Sequence, residues 1–213
     1  MARSLTTRNL FDKKYKRVML IPDEDFSQAV GNATRSGCWL IYGSEKNGKT
    51  WFALQIAKIL SKAEKVLYIS AEEGLDKSFS DACKRAGITT KDRILWDEYM
   101  CIKDMVDKLK KQRSPNIIFI DNLTSYSDDI KPSELQKELL SKLPNKLIVF
   151  IAHEERKDAY PALARMAKKM SKVIVHVSGL SATVISRFGD GGTFAINEGK
   201  MRLIFGNKET KLI

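Results

Sequence analysis

One stretch of the chain constrains its fold more than any other, because it joins a short apolar run to a helical pattern through a glycine turn. The apolar run covers residues 38–42, and apolar residues continue at helical spacing from Trp51 onward. The turn between them reads Gly43-Ser44-Glu45-Lys46-Asn47-Gly48-Lys49-Thr50. It follows the pattern G-x-x-x-x-G-K-T, which predicts a buried strand that runs into a helix through a phosphate-binding loop.

Each residue type in this turn has a chemical reason to be there. Gly43 and Gly48 remove side-chain bulk, so backbone N–H groups at the helix N-terminus can surround phosphates. Lys49 can neutralise the β and γ oxygens, and the Thr50 hydroxyl can ligate Mg²⁺. We therefore predict ATP and Mg²⁺ as cofactors. The predicted nucleotide-binding residues are Gly43, Ser44, Glu45, Lys46, Asn47, Gly48, Lys49, Thr50 and Trp51. The alternative is a glycine turn that matches the pattern by chance.

Length and composition suit one domain with a sizeable core, since the chain has 213 residues and is 43% hydrophobic. No apolar run approaches the roughly 18 residues that span a bilayer. The start also lacks the apolar stretch of a secretory signal. We therefore expect a cytoplasmic protein with no membrane partner. Three widely separated cysteines and only two histidines predict free thiols rather than disulfides or a zinc site.

The charge balance is strongly basic, with 37 Lys and Arg against 26 Asp and Glu and a formal net charge of +11. This imbalance favours a polyanionic partner, and nucleic acid, in particular single-stranded DNA, is the natural candidate. The basic residues gather near the start (Arg3, Arg8, Lys13, Lys14, Lys16, Arg17) and again later (Arg156, Lys157, Arg165, Lys168, Lys169, Lys172). A solvated basic face is the alternative for either cluster.

Short apolar runs alternate with helical patterns from residue 38 onward. Strands are predicted at 38–42, 66–70, 93–96, 117–120 and 147–152, and helices at 49–62, 75–85, 102–112, 133–143 and 162–170. Strands at 173–177, 182–188, 194–197 and 201–205 follow, joined by hairpin turns. We predict an α/β fold with a mostly parallel sheet flanked by helices and a C-terminal antiparallel β extension. Residues 1–30 are predicted to be a basic arm or linker, and residues 31–213 the domain.

Polar side chains follow three predicted strands, at the edge where open parallel sheets bind their ligands. Asp121 ends the strand at 117–120 and is predicted to complete the Mg²⁺ shell. Because Asn122 rather than a glutamate comes next, the base must lie elsewhere, and Glu72 or Glu73, just after the strand at 66–70, is placed to orient water. His153 is a candidate sensor of the γ-phosphate. The alternatives are a strand-end turn for Asp121, a solvated pair of Glu72 and Glu73 at a helix N-terminus, and a structural His153.

These pieces, taken in order with the terminal hairpins, resemble the RecA-like ATPase core over residues 38–205. The likeness is greatest to compact phage and plasmid members, including RepA-like hexameric helicases and phage recombination ATPases. The resemblance implies that Glu72 is the catalytic glutamate and that ATP lies between subunits of a homo-oligomer. It also implies that Lys200 and Arg202 of one subunit reach the γ-phosphate held by the next. Two residues apart on a strand, they share one face, although solvated side chains beside a hairpin turn are the alternative.

The same resemblance implies DNA contacts from the loops after the third and fourth strands, residues 124–131 and 154–172. The first loop carries Asp128 and Asp129, so the second is the better candidate. The leading hypothesis is an ATP-hydrolysing, DNA-coupled protein with a helicase, recombination, annealing or loading role. The alternatives are a nucleotide-gated assembly protein without direct DNA processing and a small-molecule phosphotransferase, which would need an arginine-bearing lid.

Overall fold

Ten strands form one sheet across residues 4–12, 21–197 and 211–212, which are the residues described by the computed structural model. The strands are β1 Gly37–Gly43, β2 Val66–Ser70, β3 Ile94–Glu98, β4 Ile117–Asp121, β5 Leu147–Glu155, β6 Asp158–Tyr160, β7 Val173–Ser178, β8 Ser181–Ser186, β9 Gly192–Ala195 and β10 Lys211–Leu212. Their order is β10-β9-β8-β7-β1-β5-β4-β2-β3, and β6 pairs with β5.

Strand direction divides this sheet into a parallel body and a C-terminal extension. β1, β2, β3, β4, β5 and β7 run parallel. β8 and β9 then turn back in antiparallel pairs, and β10 lies parallel to β9. The predicted fold class is confirmed.

Helices cover both faces of this sheet in the described ranges. These are α2 Glu24–Val30, α3 Lys49–Ser61, α4 Lys77–Arg85, α5 Ile102–Lys110 and α6 Ala162–Met170, while a further short helix, α1 Thr7–Phe11, contributes nothing to either core. Trp39 and Ile41 of β1 pack in a core with α2, α3 and α4, whereas Leu40 and Tyr42 pack in a second core with α5 and α6. Successive strand residues point to opposite faces, so a strand that is apolar throughout must be covered on both.

The parallel strands bring their C-terminal ends to one edge of the sheet. Gly43 at the end of β1 is paired with His153 in β5, and Ser70 at the end of β2 is paired with Asp121 in β4. β4 and β5 are themselves neighbours. The segments that follow β1, β2, β4 and β5 therefore begin side by side.

The predicted helix at 133–143 is wrong in type. A 3-10 turn at Pro132–Glu134 leads into a π-helical segment at Leu135–Leu140. Leu135 and Leu139 are buried, as the four-residue spacing requires. However, the Ser141 N–H donates to the carbonyl five residues earlier. Apolar spacing decides which side faces the core, and a π-turn satisfies that spacing as well as an α-helix does.

The N-terminal segment is not a uniform arm, because its last part is a helix that packs on the domain. Asp23 caps α2 by accepting a hydrogen bond from the Phe26 N–H at 2.9 Å. Phe26, Ala29 and Val30 are buried in the core that also contains α3. By contrast, α1 has no buried residue. We propose that the domain begins near Ile21 rather than at residue 31.

The thiols of Cys38, Cys83 and Cys101 are free. Burial raises the pKa of the Cys38 thiol, and burial raises the pKa of the Cys83 thiol to about 11. Those two thiols are therefore protonated at neutral pH and react poorly as nucleophiles. In the described ranges, no helix is both long enough and apolar enough to cross a membrane.

Candidate functional site

The glycine turn leads from β1 into α3, and neighbouring strands fix its shape. Gly48 is the N-cap of α3 and has a φ of 96°, a left-handed conformation that favours glycine. The Asn47 side-chain oxygen accepts the Gly179 N–H at 2.7 Å, and the Asn47 carbonyl accepts the Leu180 N–H at 3.3 Å. Gly179 and Leu180 form the turn between β7 and β8. The phosphate-binding loop is therefore held from outside by the C-terminal extension.

Lys49 lies at the first position of α3 with its side chain folded back over the loop. The residue is buried, and its Nζ donates to the Ser44 carbonyl at 2.9 Å. Burial lowers the pKa of Lys49, and the nearby carboxylates, Asp121 and Glu72 first, oppose this shift. The lysine is thus a partly desolvated cation at a helix N-terminus, an arrangement that attracts anions.

Thr50 and Asp121 meet beside Lys49. The Asp121 carboxylate is buried, and it accepts hydrogen bonds from the Tyr68 hydroxyl at 2.6 Å and from the Thr50 hydroxyl. Burial raises the pKa of Asp121 to about 6, and the two hydroxyl donors only partly offset this. A buried carboxylate with a neighbouring hydroxyl suits a hard divalent cation, whose charge would offset the desolvation.

Protein ligands alone do not make a metal centre at this position. Across the described residues, no group of three or more His, Cys, Asp or Glu side chains could hold a metal ion. Mg²⁺ is usually bound through one or two protein oxygens together with substrate phosphates and water. The Thr50 and Asp121 donor set fits that mode, which requires a phosphate ligand in the same cavity.

Glu72 follows β2, and one of its two carboxylate oxygens is held by a residue that directly follows β4 and by a residue of β5. Its Oε2 accepts a hydrogen bond from Asn122 Nδ2 at 2.9 Å, and His153 Nε2 lies 3.3 Å from the same atom. Half of the Glu72 side chain is exposed. The other ring nitrogen of His153, Nδ1, is buried without a partner in the described part of the chain. His153 therefore contacts the candidate base directly.

A cavity of about 570 Å³ collects these side chains. Of the residues predicted from the sequence, it is lined by Glu45, Lys46, Gly48, Lys49, Thr50, Trp51, Glu72, Asp121 and His153. Three other predicted residues face elsewhere. Gly43 abuts β7, Ser44 Oγ donates to Glu154 at 3.4 Å, and Asn47 faces the β7–β8 turn. The predicted pair Lys200 and Arg202 lies outside the described residues.

The cavity also contains residues that the sequence analysis did not single out, notably Arg85, Asn122 and Leu180. Arg85 ends α4, and no sequence pattern marks the last turn of that helix as part of a site. Asn122 directly follows Asp121, but it drew notice only because it is not a glutamate. The sequence did offer one indication of its role, because Asn122 lies at the end of a strand, directly after the carboxylate predicted to bind Mg²⁺.

A chain of side-chain contacts runs from the phosphate-binding loop to α6, through residues that do not line the cavity. Glu154 Oε2 accepts from Ser44 and lies 2.9 Å from His176 Nε2. The His176 ring is 4.9 Å from the Tyr42 ring, and Lys168 Nζ donates to the Tyr42 hydroxyl at 3.1 Å. The phosphate-binding loop is thus in contact with the basic segment after β5 through side chains.

Comparison with known proteins identifies the family of this chain. Residues 23–155, more than half of the chain, match the family described as inactive STAND. The chain belongs to this inactive STAND family. The matched residues contain the glycine turn, Glu72, Asp121 and His153.

Two solved structures share the fold of this inactive STAND member. An ATPase domain aligns with a TM-score of 0.61 at 16% identity, covering 83% of this chain and 86% of the other. The flagellar accessory protein FlaH from Methanocaldococcus jannaschii aligns with a TM-score of 0.59 at 12% identity, covering 85% of this chain and 95% of FlaH.

A relative identified by sequence agrees with this fold. Protein RecA from Oleidesulfovibrio alaskensis is 26% identical over 155 residues, which are 70% of this chain and 42% of RecA. The inactive STAND member thus spans less than half the length of this RecA. The predicted RecA-like P-loop ATPase core is confirmed.

Proposed function

We propose that this chain binds ATP with Mg²⁺ in the cavity at the sheet edge and hydrolyses it in a reaction coupled to single-stranded DNA. One observation carries the proposal. A buried lysine at a helix N-terminus, the hydroxyl and carboxylate pair of Thr50 and Asp121, and the Glu72 carboxylate line one cavity. ATP hydrolysis needs a phosphate cradle, a cation shell and a water-orienting base in this arrangement.

The residues divide the work by their chemistry. Lys49 and the α3 N-terminus bind the phosphates, and Trp51 and Lys46 lie at the wall of the same cavity. Thr50 and Asp121 would hold Mg²⁺, which would neutralise charge on the terminal phosphates. Glu72 accepts a proton from the attacking water. His153 contacts Glu72 and provides the polar group at the tip of β5.

Charge on the segment after β5 supports the DNA part of the proposal. Arg156, Lys157, Arg165 and Lys169 are exposed. Two other basic residues are already engaged, since Lys168 donates to Asp158 at 2.7 Å and Lys172 donates to Thr34 at 2.8 Å. The segment after β4 is a poorer candidate, because Asp128 and Asp129 are acidic and would repel a phosphate backbone. Asp129 is also engaged within the protein, since it accepts the Ile102 N–H at 2.6 Å. We therefore place the DNA-contacting face on the β5–β6 hairpin and α6.

Assembly completes the proposal. We propose that the active form is a homo-oligomer in which Lys200 and Arg202 of one subunit approach the phosphates bound by its neighbour. A basic residue supplied by a second subunit can be worth on the order of 10³ to 10⁵ in rate. On this view an isolated subunit binds ATP but turns it over slowly.

A second candidate function is a nucleotide-gated assembly protein that binds ATP and does not process DNA. The family description, inactive STAND, favours it. The presence of Lys49, Thr50, Asp121 and Glu72 in one cavity favours hydrolysis. The two candidates differ in turnover and in the response to DNA, while both require nucleotide binding.

ATP affinity and phosphate release, each measured with and without single-stranded DNA, test these candidates. Lys49→Ala should lose roughly 1.5 to 3 kcal/mol of binding free energy, about a 10- to 150-fold rise in Kd. Glu72→Gln should keep the affinity and lose turnover. Unchanged affinity in Lys49→Ala would reject the nucleotide site. Wild-type turnover in Glu72→Gln would show that Glu72 is not the catalytic base. A rate of ATP turnover that does not change with DNA would contradict the DNA-coupled function and favour the assembly protein.

A further inference from the structure

The Glu72 carboxylate is held asymmetrically, and this asymmetry indicates how it is aimed. Both polar side chains that contact this carboxylate approach the same atom, Oε2: Asn122 Nδ2 lies 2.9 Å from it and His153 Nε2 lies 3.3 Å from it. No described residue donates a hydrogen bond to Oε1. One oxygen is therefore committed to the protein, while the other is available to a ligand or a water molecule.

Asn122 is well suited to hold this carboxylate because it is itself fixed. It is 1% exposed and directly follows β4. Its Oδ1 accepts hydrogen bonds from Thr124 N at 3.1 Å and from Thr124 Oγ1 at 3.2 Å. An amide flip would place the NH₂ group against the Thr124 backbone N–H, which can only donate, and would turn Oδ1 toward the Glu72 carboxylate, so Nδ2 must be the group that faces Glu72. The amide is thereby locked in both place and orientation.

We propose that Asn122 is a positioning residue for hydrolysis, which holds Oε2 of Glu72 so that Oε1 stays aimed at the attacking water. The inference rests on the proposed function. In the step it serves, the water oxygen bonds to the γ-phosphorus while a water proton moves to Oε1. The bond from the γ-phosphorus to the β,γ-bridging oxygen breaks, and ADP and phosphate are released.

If the Glu72 side chain rotated freely, Oε1 would not stay directed at the attacking water. Its side chain is half-exposed, and without Asn122 only the longer contact to His153 would restrain the carboxylate. A displacement of about 1 Å at a reacting group can cost on the order of a hundredfold in rate. ATP binding does not need the Oε2 contact, so loss of Asn122 should lower kcat and leave nucleotide affinity unchanged.

Two substitutions test this role while preserving the Thr124 contacts. Asn122→Ser keeps an oxygen that can cap the following turn, and Asn122→Asp keeps the shape and the Oδ1 acceptor. Neither can donate to Glu72 as the amide does. In both variants we expect kcat to fall by roughly 10- to 100-fold. In Asn122→Ser, KM and the affinity for a nonhydrolysable ATP analogue should stay within about twofold of wild type, whereas Asn122→Asp adds a negative charge to the cavity and should also bind the analogue more weakly. Thr124→Val, which leaves Nδ2 in place, is the matched control and should lose much less.

Combination with Glu72→Gln separates a role through Glu72 from a merely structural one. If Asn122 acts through Glu72, Asn122→Ser should add little to the loss already caused by Glu72→Gln. Full kcat in both Asn122 variants, or a further tenfold loss on the Glu72→Gln background, would overturn the positioning role while the proposed function stands. Wild-type turnover in Glu72→Gln itself would instead overturn the function on which the role depends.

Discussion

At the scale of single residues, Gly43 shows how one position can serve two physical purposes. The sequence pattern assigns it to the phosphate cradle. In the structure, a Cβ added to Gly43 would lie 2.0 Å from the Val177 carbonyl oxygen of β7. The close approach of a neighbouring strand therefore requires glycine here whether or not a nucleotide is bound.

Gly43→Ala should consequently destabilise the protein in the absence of any ligand. Overpacking of this kind costs about 1 to 3 kcal/mol. Gly192→Ala is the matched control, because a Cβ there would meet its nearest atoms at an ordinary 3.5 Å. Urea unfolding of the two variants measures the difference. Equal free energies of unfolding would show that β7 can shift at little cost to accommodate a Cβ at residue 43.

Side chains that belong to a local pattern could be predicted, whereas those that enter the site from a distance could not. Lys49 and Thr50 follow from one turn, and Glu72 and Asp121 follow from strand ends. Arg85 reaches the cavity only because α4 packs back toward β2. The contact between Asn122 and Glu72 joins residues fifty positions apart, and their separation is set by sheet order rather than by sequence spacing.

At the scale of elements, the hairpin between β5 and β6 projects its charge from a tight turn. Arg156 and Lys157 both have positive φ, at 52° and 65°, and both are exposed. The apolar run at 147–152 correctly predicted this strand, but the observed strand continues to residue 155. The last three residues, His153, Glu154 and Glu155, are polar, and pairing with β6 keeps them extended.

Removal of the two hairpin charges should weaken binding of single-stranded DNA. Arg156→Gln with Lys157→Gln should reduce the log-log salt slope of the affinity by about 1.4, or roughly 0.7 for each lost contact. Lys110→Gln with Lys111→Gln removes the same net charge at the end of α5, where the chain enters the start of β4, at the opposite end of the parallel strands from the hairpin. Equal slopes in the two double variants would remove the hairpin from the DNA-binding face.

At the scale of the whole molecule, the sheet order was beyond the reach of the sequence. The alternation of strands and helices predicted a parallel sheet with both faces covered. It could not show that β1 lies between β5 and β7 or that α2 belongs to the core. Strand neighbours are decided by packing between distant segments, which leaves no local pattern.

A site shared between subunits should allow two inactive variants to repair each other. Under the proposed arrangement, Lys49→Ala has a defective phosphate site and Arg202→Ala cannot assist a neighbour. In a mixed oligomer, an intact cradle faces an intact Arg202 at about a quarter of the interfaces when the two variants mix equally and at random. ATP turnover of the mixture should therefore exceed that of either variant alone. A mixture no more active than its components would contradict a shared site.

The two hydrogen bonds between Asn47 and the β7–β8 turn have a mechanical consequence. A triphosphate that displaces the loop by even a small amount pulls on Gly179 and Leu180, and through them on β8 and β9. The β7–β8 turn should therefore move together with the phosphate-binding loop when a ligand fills the cavity.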